Sequence, residues 1–325
     1  MPEPQPAAAP AESVVTVLVA LAANVGIALA KLAAALMTGS SAMLAEAFHA
    51  AADSGNEVLL LIAQRRGERP ADQEHPLGHG REAYFWALIA SLAVFVTGSL
   101  LAVHRGIEEL THPTEEKSYA FAYVVLAVSL VLESLSLRRA YRQLRDEANE
   151  LSREFFEHFE LSSDPIARAV FAEDAAAVAG NVIAAVGIGL HQVTGSPIPD
   201  GIAAIVIGLV LGYVAVQLAM RNGDYLIGRG APGQIQKLIR DILAADADVR
   251  AVTDLVVTFL GPRRLWVIAR IDIDDALGGA GVKALVRRLE QTLLRESRFI
   301  KRIDLVPSTV ESARPSAAEA PRPIP

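Results

Sequence analysis

Long apolar stretches separated by short polar connections fill the first two thirds of the chain. About 20 mostly apolar residues are enough for a helix to cross a bilayer, and six stretches have roughly that length. They lie at about 13–37, 42–63, 82–103, 118–137, 165–190 and 198–220. The pattern predicts an α-helical membrane protein with six transmembrane helices within residues 13–220. Because six is an even number, both termini are expected on one side of the membrane.

Beyond residue 220 the apolar runs become shorter and the pattern changes. A Gly-rich hinge is predicted at 221–233, followed by a small domain at 234–307. Helix-like and strand-like periodicities alternate in this domain, at 234–244, 252–260, 265–273, 282–295 and 299–306. We therefore expect an α+β domain with the order α-β-β-α-β. The two ends, 1–12 and 308–325, are rich in Pro and Ala and are predicted to be disordered tails.

Basic residues are distributed unevenly among the connections between the predicted spans. The connections after the second and fourth spans contain nine Arg, whereas those on the opposite side contain only Arg105 and Lys117. Lys and Arg are enriched in the cytoplasmic loops of membrane proteins. Both termini and the domain at 234–307 are therefore expected in the cytoplasm. The bias of the chain towards Ala and Arg suggests a bacterial inner (plasma) membrane.

Composition narrows the chemistry that the chain can perform. Hydrophobic residues make up 52% and charged residues 21% of the 325 residues, and there is no Cys. Without Cys, disulfides, thiolate metal sites and iron–sulfur clusters are excluded, so any metal is held by nitrogen and oxygen. The formal net charge of −7 gives no basic surface for nucleic acid, and no nucleic-acid partner is expected.

Ionisable residues within the predicted spans are the first candidates for a functional site, because charge inside a bilayer is costly. In the second span, His49 and Asp53 are four residues apart and share one helix face. The fifth span carries Glu173 and Asp174 near its middle. If the two helices pack together, His49, Asp53 and Asp174 converge and can hold a divalent cation. The simpler alternative is that these side chains only hydrogen-bond neighbouring helices.

Three further acids are interpreted differently. Glu46 and Glu57 lie nearer the ends of the second span and are expected to be solvated. Glu133, in the fourth span, either assists proton movement or pairs with a neighbouring side chain, and pairing is the interpretation we favour. None of the three is placed in the candidate site.

Three stretches carry a resemblance to a known family. Residues 37–53 (MTGSSAMLAEAFHAAAD), 74–81 (EHPLGHGR) and 106–113 (GIEELTHP) resemble the signature of the cation diffusion facilitators, proton-coupled exporters of zinc and manganese. The acidic fifth span and the preceding Asp164-Pro165 are similar to the branch represented by zinc transporter nine. The resemblance implies six spans and a cytoplasmic domain that forms a homodimer. It also implies a transport site of four ligands, shared by the second and fifth spans.

The fifth span departs from the pattern of the family. Registering this span on Gly180 places Asp174 on the family's Asp and Val170 on its His. Because Val170 has no ligand atom, the fourth ligand of the site stays open. The candidates are Glu173, Asn56, Asn181 and water. A site with more oxygen ligands favours a harder ion such as Mn²⁺.

The connection after the second span holds another group of metal-ligand residues. Asp72, His75 and His79 lie close together in the sequence. By resemblance to some relatives, these residues can bind a second, peripheral zinc ion. The alternative is that the histidines only make local hydrogen bonds in a structural turn.

These features predict a homodimeric transporter in a lipid bilayer rather than an enzyme, with no cofactor. The expected cargo is zinc, with manganese, iron or cobalt as alternatives, and it leaves the cytoplasm by alternating access in exchange for protons. One rival is a metal-binding or scaffold subunit that lacks transport because of Val170 and pairs with an active relative. The other is a membrane metalloenzyme, which is disfavoured because di-iron sites take several Glu and Glu-x-x-His ligands from four helices.

Overall fold

The computed structural model describes residues 14–112, 119–150 and 153–307. Within these residues, ten α-helices and three β-strands follow one another. The helices are α1 (Val14–Thr38), α2 (Ser41–Gly67), α3 (Glu82–Val94), α4 (Leu101–Thr111), α5 (Tyr119–Glu150), α6 (Phe155–Leu161), α7 (Pro165–Thr194), α8 (Ile198–Ile227), α9 (Gly233–Ala244) and α10 (Gly279–Glu296). The strands are β1 (Val249–Gly261), β2 (Arg264–Ile273) and β3 (Ile300–Pro307). The predicted tails at 1–12 and 308–325 lie outside the described residues.

The chain divides into two compact units. The first contains the chain up to Arg65 together with Phe85–Gly223. The second contains Arg66–Tyr84 and the chain from Asp224 onward. The connection between α2 and α3 therefore belongs to the same unit as the three strands.

The prediction of six spans is not confirmed. Among the described residues, five segments are long and apolar enough to cross a membrane. They are most of α1, the continuous stretch formed by α3 and α4 together, and the three helices α5, α7 and α8. With 27 residues, α2 is long enough to cross. However, it carries Glu46, Asp53, Glu57 and two Arg near its C-terminal end, and this charge separates it from the other five segments.

Several helices are longer than the apolar stretches that predicted them. A π-helical turn, Phe95–Leu100, joins α3 to α4, so that Glu82–Thr111 is one continuous helical stretch of 30 residues. Likewise, α5 continues through an Arg-rich segment to Glu150, and α8 continues to Ile227, into the predicted hinge. The apolar pattern marks only the part of a helix that lies in apolar surroundings. Arg, Glu, Gln, Leu and Ala are good helix formers, so the helix itself continues beyond that part.

The ends of two helices are fixed by aspartate side chains. The Asp164 carboxylate accepts hydrogen bonds from the backbone N–H groups of Ile166 and Ala167 at the start of α7, where Pro165 occupies the first turn. The N-terminus of α2 is capped from another helix. Asp200 of α8 accepts from the Ser41 N–H at 2.5 Å and from the Ser40 hydroxyl at 2.7 Å. These caps set where α2 and α7 begin.

The second unit contains the small α+β domain that the sequence predicts, with the order α-β-β-α-β. Its sheet has the strand order β1-β2-β3, in which β1 and β2 are antiparallel and β2 and β3 are parallel. α10 makes the connection between the parallel strands. Its buried Leu285, Leu289 and Leu293 recur every four residues and share one core with Val267 and Ile271 of β2.

The connection between α2 and α3 packs tightly against the sheet hairpin. A Cβ atom on Gly80 would lie 2.3 Å from the backbone oxygen of Leu260, so this position accepts only glycine without a backbone shift. At the end of the connection, the ring of Tyr84 stacks on that of Tyr225 with a centroid distance of 5.0 Å. The residues between α2 and α3 are thus held as part of the second unit.

Labelling of single cysteines from either side of the membrane tests whether α2 crosses it. The chain has no Cys, so each of the variants Gln5→Cys and Glu74→Cys carries a single site for a membrane-impermeant thiol reagent. If α2 crosses, α1 and α2 make two crossings, and both cysteines are labelled from the same side. Labelling from opposite sides would show that α2 does not cross. Ser196→Cys is the control, since it lies opposite Glu74 in either case.

Candidate functional site

Three ionisable residues lie along one face of α2. His49 is buried, and its Nε2 atom lies 3.3 Å from Oδ2 of Asp53, one turn further along the helix. On the other side of the ring, Nδ1 of His49 lies 3.8 Å from Oε1 of Glu46. The spacing of the sequence thus places an imidazole between two carboxylates, as expected for the pair His49 and Asp53.

Side chains connect this face of α2 to α7. Asn56 donates a hydrogen bond of 2.5 Å from Nδ2 to Oε2 of Glu173, which is buried. Polar groups of α2 and α7 therefore face one another. The sequence predicts this meeting only on the condition that the two helices pack together.

Several polar atoms in this region are buried without a hydrogen-bond partner among the described residues. Those of the candidate site are both ring nitrogens of His49, Oδ1 of Asp53 and Oδ2 of Asp174. Leaving a buried acceptor unsatisfied is unfavourable. An imidazole nitrogen together with carboxylate oxygens is a donor set that suits divalent zinc or manganese. The chemistry of these atoms therefore fits a cation as their missing partner.

The four predicted ligands are not gathered into a compact cluster. Among the described residues, Asp72, His75 and His79 form the one group of three His, Asp or Glu whose ligand atoms all lie within 4.8 Å of one another. The set His49, Asp53, Asp174 and Glu173 does not reach that closeness. Its assignment as a transport site therefore stays a prediction.

A buried lysine changes the interpretation of two acids. Lys31 of α1 is fully buried, and its Nζ atom lies 2.7 Å from Oε2 of Glu46 and 2.8 Å from Oε1 of Glu133. The expectation that Glu46 is solvated is wrong, since this residue is fully buried. The expectation that Glu133 pairs with a neighbour is confirmed. Besides the two acids themselves, the Lys within the first apolar span is a signal in the sequence for this network.

The peripheral group forms a hydrogen-bonded cluster in the second unit. Nε2 of His79 lies 2.9 Å from Oδ2 of Asp72, and its Nδ1 lies 2.5 Å from Oε1 of Glu82. The backbone N–H of His75 donates to Oδ1 of Asp72 at 2.6 Å. The rings of His75 and His79 are 4.2 Å apart between centroids. The three predicted residues thus meet, and Glu82 is a contact that the sequence did not indicate.

These hydrogen bonds change the protonation of the cluster. The bond from His79, followed by that from the His75 backbone, lowers the pKa of Asp72 to about 2. In turn, the bonds to Asp72 and Glu82 raise the pKa of His79. The cluster therefore favours a protonated imidazole beside an ionised carboxylate, which is a charge arrangement that a bound cation would replace.

Comparison with known proteins identifies the family of the chain. Residues 17–227 match the cation efflux transmembrane domain family. The human protein named proton-coupled zinc antiporter SLC30A9, mitochondrial, is 35% identical over 245 residues, which are 75% of this chain and 43% of that protein. Metal tolerance protein C4 of Arabidopsis thaliana is 32% identical over 240 residues, which are 74% of this chain and 52% of that protein.

A bacterial relative matches over a similar part of the chain. The cation-efflux pump FieF of Escherichia coli is 26% identical over 262 residues, which are 79% of this chain and 80% of that protein. By contrast, the chain spans less than half the length of the human relative. The match to the family covers well over half of the 325 residues. The chain therefore belongs to the cation efflux family, the cation diffusion facilitators.

Proposed function

We propose that the chain is a secondary transporter that exports a divalent cation, zinc in the first place, in exchange for protons. The observation that carries the proposal is a set of buried ligand atoms on His49, Asp53 and Asp174 that have no hydrogen-bond partner among the described residues. Relatives support the proposal, since the human one is named a proton-coupled zinc antiporter and the one from Escherichia coli a cation-efflux pump. A transporter of this kind is not an enzyme and needs no resident cofactor.

The exchange follows from competition between metal and protons for the same atoms. A divalent cation binds the deprotonated forms of imidazole and carboxylate. Binding of the cation therefore releases protons, and protonation of these groups releases the cation. Histidine suits this exchange because its ordinary pKa of about 6.5 lies close to physiological pH. Alternating exposure of the site to the two sides of the membrane then couples metal efflux to proton entry.

The fourth ligand is proposed to be Glu173. One of its carboxylate oxygens accepts a hydrogen bond from Asn56, which lies three residues after Asp53 on α2. Val170, one turn before Asp174 on α7, contributes no ligand atom. A site of one nitrogen and several oxygens would bind manganese, iron or cobalt besides zinc.

Assembly and location extend the proposal. The domain at 234–307 is proposed to form a homodimer in the cytoplasm, with 221–233 as the hinge before it. The name of the human relative places that protein in mitochondria, whereas the pump FieF belongs to a bacterium. The relatives therefore do not point to one membrane, and the expectation of a bacterial inner membrane is unsupported. For location, we therefore propose only that the chain lies in a membrane across which zinc is exported.

A second zinc ion is proposed at Asp72, His75 and His79. The closeness of their ligand atoms, all within 4.8 Å of one another, supports this assignment. Two of the three residues are exposed, so the ion would exchange with solvent without passing through the membrane. The cluster is thus proposed as a peripheral site outside the transport path.

Zinc uptake by proteoliposomes with an acidic lumen tests the transport site. In Asp53→Ala the cation loses a charged ligand, and the initial rate of uptake is expected to fall by more than about tenfold. The exposed Asp146→Ala on α5 removes a carboxylate elsewhere and is expected to keep the wild-type rate. Unchanged uptake in Asp53→Ala would contradict the assigned site. Zinc binding by the wild type without any flux would instead favour a scaffold subunit.

Restoring an imidazole at position 170 tests the cause of metal preference. Val170→His adds a nitrogen ligand one turn from Asp174, and nitrogen favours zinc over manganese. The ratio of zinc uptake to manganese uptake in competition is expected to rise several-fold. Val170→Leu, which adds no ligand, serves as the control and is expected to keep the ratio. An equal ratio in both variants would exclude position 170 from the site.

The protonation of His79 tests the peripheral cluster. Histidine-selective NMR of the metal-free protein is expected to give His79 a pKa above its ordinary value of about 6.5. A raised pKa means that the folded loop holds the proton more tightly. Its stabilising effect is therefore complete below about pH 6.5 and is lost as the pH rises through the raised value.

The variant Asp72→Asn removes the main cause of that shift. The pKa of His79 is expected to fall towards its ordinary value, and His79→Gln identifies the signal among the seven histidines. A wild-type His79 that titrates at or below pH 6.5 would refute the described hydrogen bonds.

A further inference from the structure

The buried acid Glu46 has two oxygens with different surroundings. Oε2 is held by the Lys31 ammonium at 2.7 Å, and Lys31 is in turn held by Glu133 at 2.8 Å. Asn181 of α7 donates to the other oxygen of Glu133. Glu46 is therefore tied to α1, and through Lys31 to α5. An ion pair of this kind, out of contact with water, fixes the position of the carboxylate.

The second oxygen of Glu46 faces His49. Oε1 lies 3.8 Å from Nδ1 of His49, and neither atom has a hydrogen-bond partner among the described residues. A hydrogen bond needs an approach of roughly 1 Å from this distance, which a small rotation of the imidazole ring provides. Since Glu46 is held by Lys31, the ring is the partner that moves.

The backbone of α7 leaves room for this carboxylate. A Cβ atom on Gly180 would lie 2.1 Å from Oε1 of Glu46, so a larger residue at this position would displace the oxygen that faces His49. Gly180, which aligned the fifth span with the family pattern, therefore also has a structural role. It allows a carboxylate of α2 to lie directly against α7.

The remaining ring nitrogen points the other way. Nε2 of His49 lies 3.3 Å from Oδ2 of Asp53. If Nδ1 carries the proton, Nε2 presents a lone pair to a carboxylate, and two acceptors face each other. This arrangement is unfavourable without a cation between them and favourable with one. The orientation of the ring thus decides whether His49 can share a metal with Asp53.

We infer that Glu46, held in place by Lys31, is a positioning residue for the metal ligand His49. Its Oε1 accepts a hydrogen bond from Nδ1–H, which directs the Nε2 lone pair to the cation that Asp53 also binds. Partners of this kind orient histidine ligands and make them more basic. Lys31 also keeps Glu46 from becoming a ligand itself. This inference rests on the proposed metal site at His49 and Asp53.

Zinc transport kinetics test the inference through separate effects on KM and the maximal rate. Glu46→Gln keeps the volume of the side chain but removes its charge, and the KM for zinc is expected to rise by about tenfold. The maximal rate is expected to stay near that of the wild type, since Glu46 does not touch the metal. Glu46→Asp, which restores the charge, is expected to recover part of the loss in KM.

A matched control separates this effect from general damage to the bundle. Glu109 is as deeply buried as Glu46 and accepts a hydrogen bond of 2.8 Å from the Ser41 hydroxyl. Glu109→Gln is expected to leave the KM for zinc unchanged. Equal KM values for Glu46→Gln and wild type would overturn the inference, while the loss of transport in Asp53→Ala would still support the proposed function.

NMR spectroscopy tests the inference without any substitution of Glu46, so its result does not depend on whether Glu46→Gln folds. Nitrogen-15 NMR of the zinc-loaded protein, in a His75→Gln/His79→Gln background that removes the peripheral ligands, reports which nitrogen of the responding histidine is protonated. The expected result is a protonated Nδ1 and a metal-bound Nε2. Zinc bound through Nδ1 would overturn the inference.

Discussion

Charge buried among apolar helices is the constraint on which the helical unit depends. An ionised group that is removed from water costs several kcal/mol unless an opposite charge or strong hydrogen bonds replace the lost solvation. Lys31 supplies the opposite charge for Glu46 and Glu133, and Asn56 supplies a hydrogen bond for Glu173. These contacts join α1, α2, α5 and α7 through polar atoms. Among the described residues, the atoms that these contacts leave without a hydrogen-bond partner include both ring nitrogens of His49 and one oxygen each of Asp53 and Asp174, which are the atoms that a cation would satisfy.

Helix ends give that network its register. Asp200 caps α2 from α8, and Asp164 caps α7 within its own segment. From these fixed starting points, helical periodicity brings His49 and Asp53 to one face of α2, and the hydrogen bond from Asn56 to Glu173 joins that helix to α7. A change at a cap would therefore shift ligand atoms that lie two or more turns away. The position of the site depends on contacts that do not belong to it.

Local patterns predicted the parts of the fold that depend on neighbouring residues in the sequence. Apolar stretches located the long helices, and alternating apolar residues located the strands of the small domain. Their limits were missed where polar helix formers continue a helix, as in α5 to Glu150. In the site, the adjacency of His49 and Asp53 followed from their spacing. The burial of Glu46 did not, because it depends on Lys31, which is 15 residues away on another helix. The contact of Glu82 with His79 likewise depends on how the connection folds back.

The packing of Gly80 against Leu260 ties the connection between α2 and α3 to the sheet hairpin. The chain accordingly passes between its two units three times, after Arg65, after Tyr84 and after Gly223. The strand-containing unit is therefore not an appendage that follows the helices. A chain truncated after residue 223 would lose the residues against which Gly80 and Tyr84 pack at the end of that connection. In evolution, the helical unit could not exchange its C-terminal partner for an unrelated module without also rebuilding that internal segment.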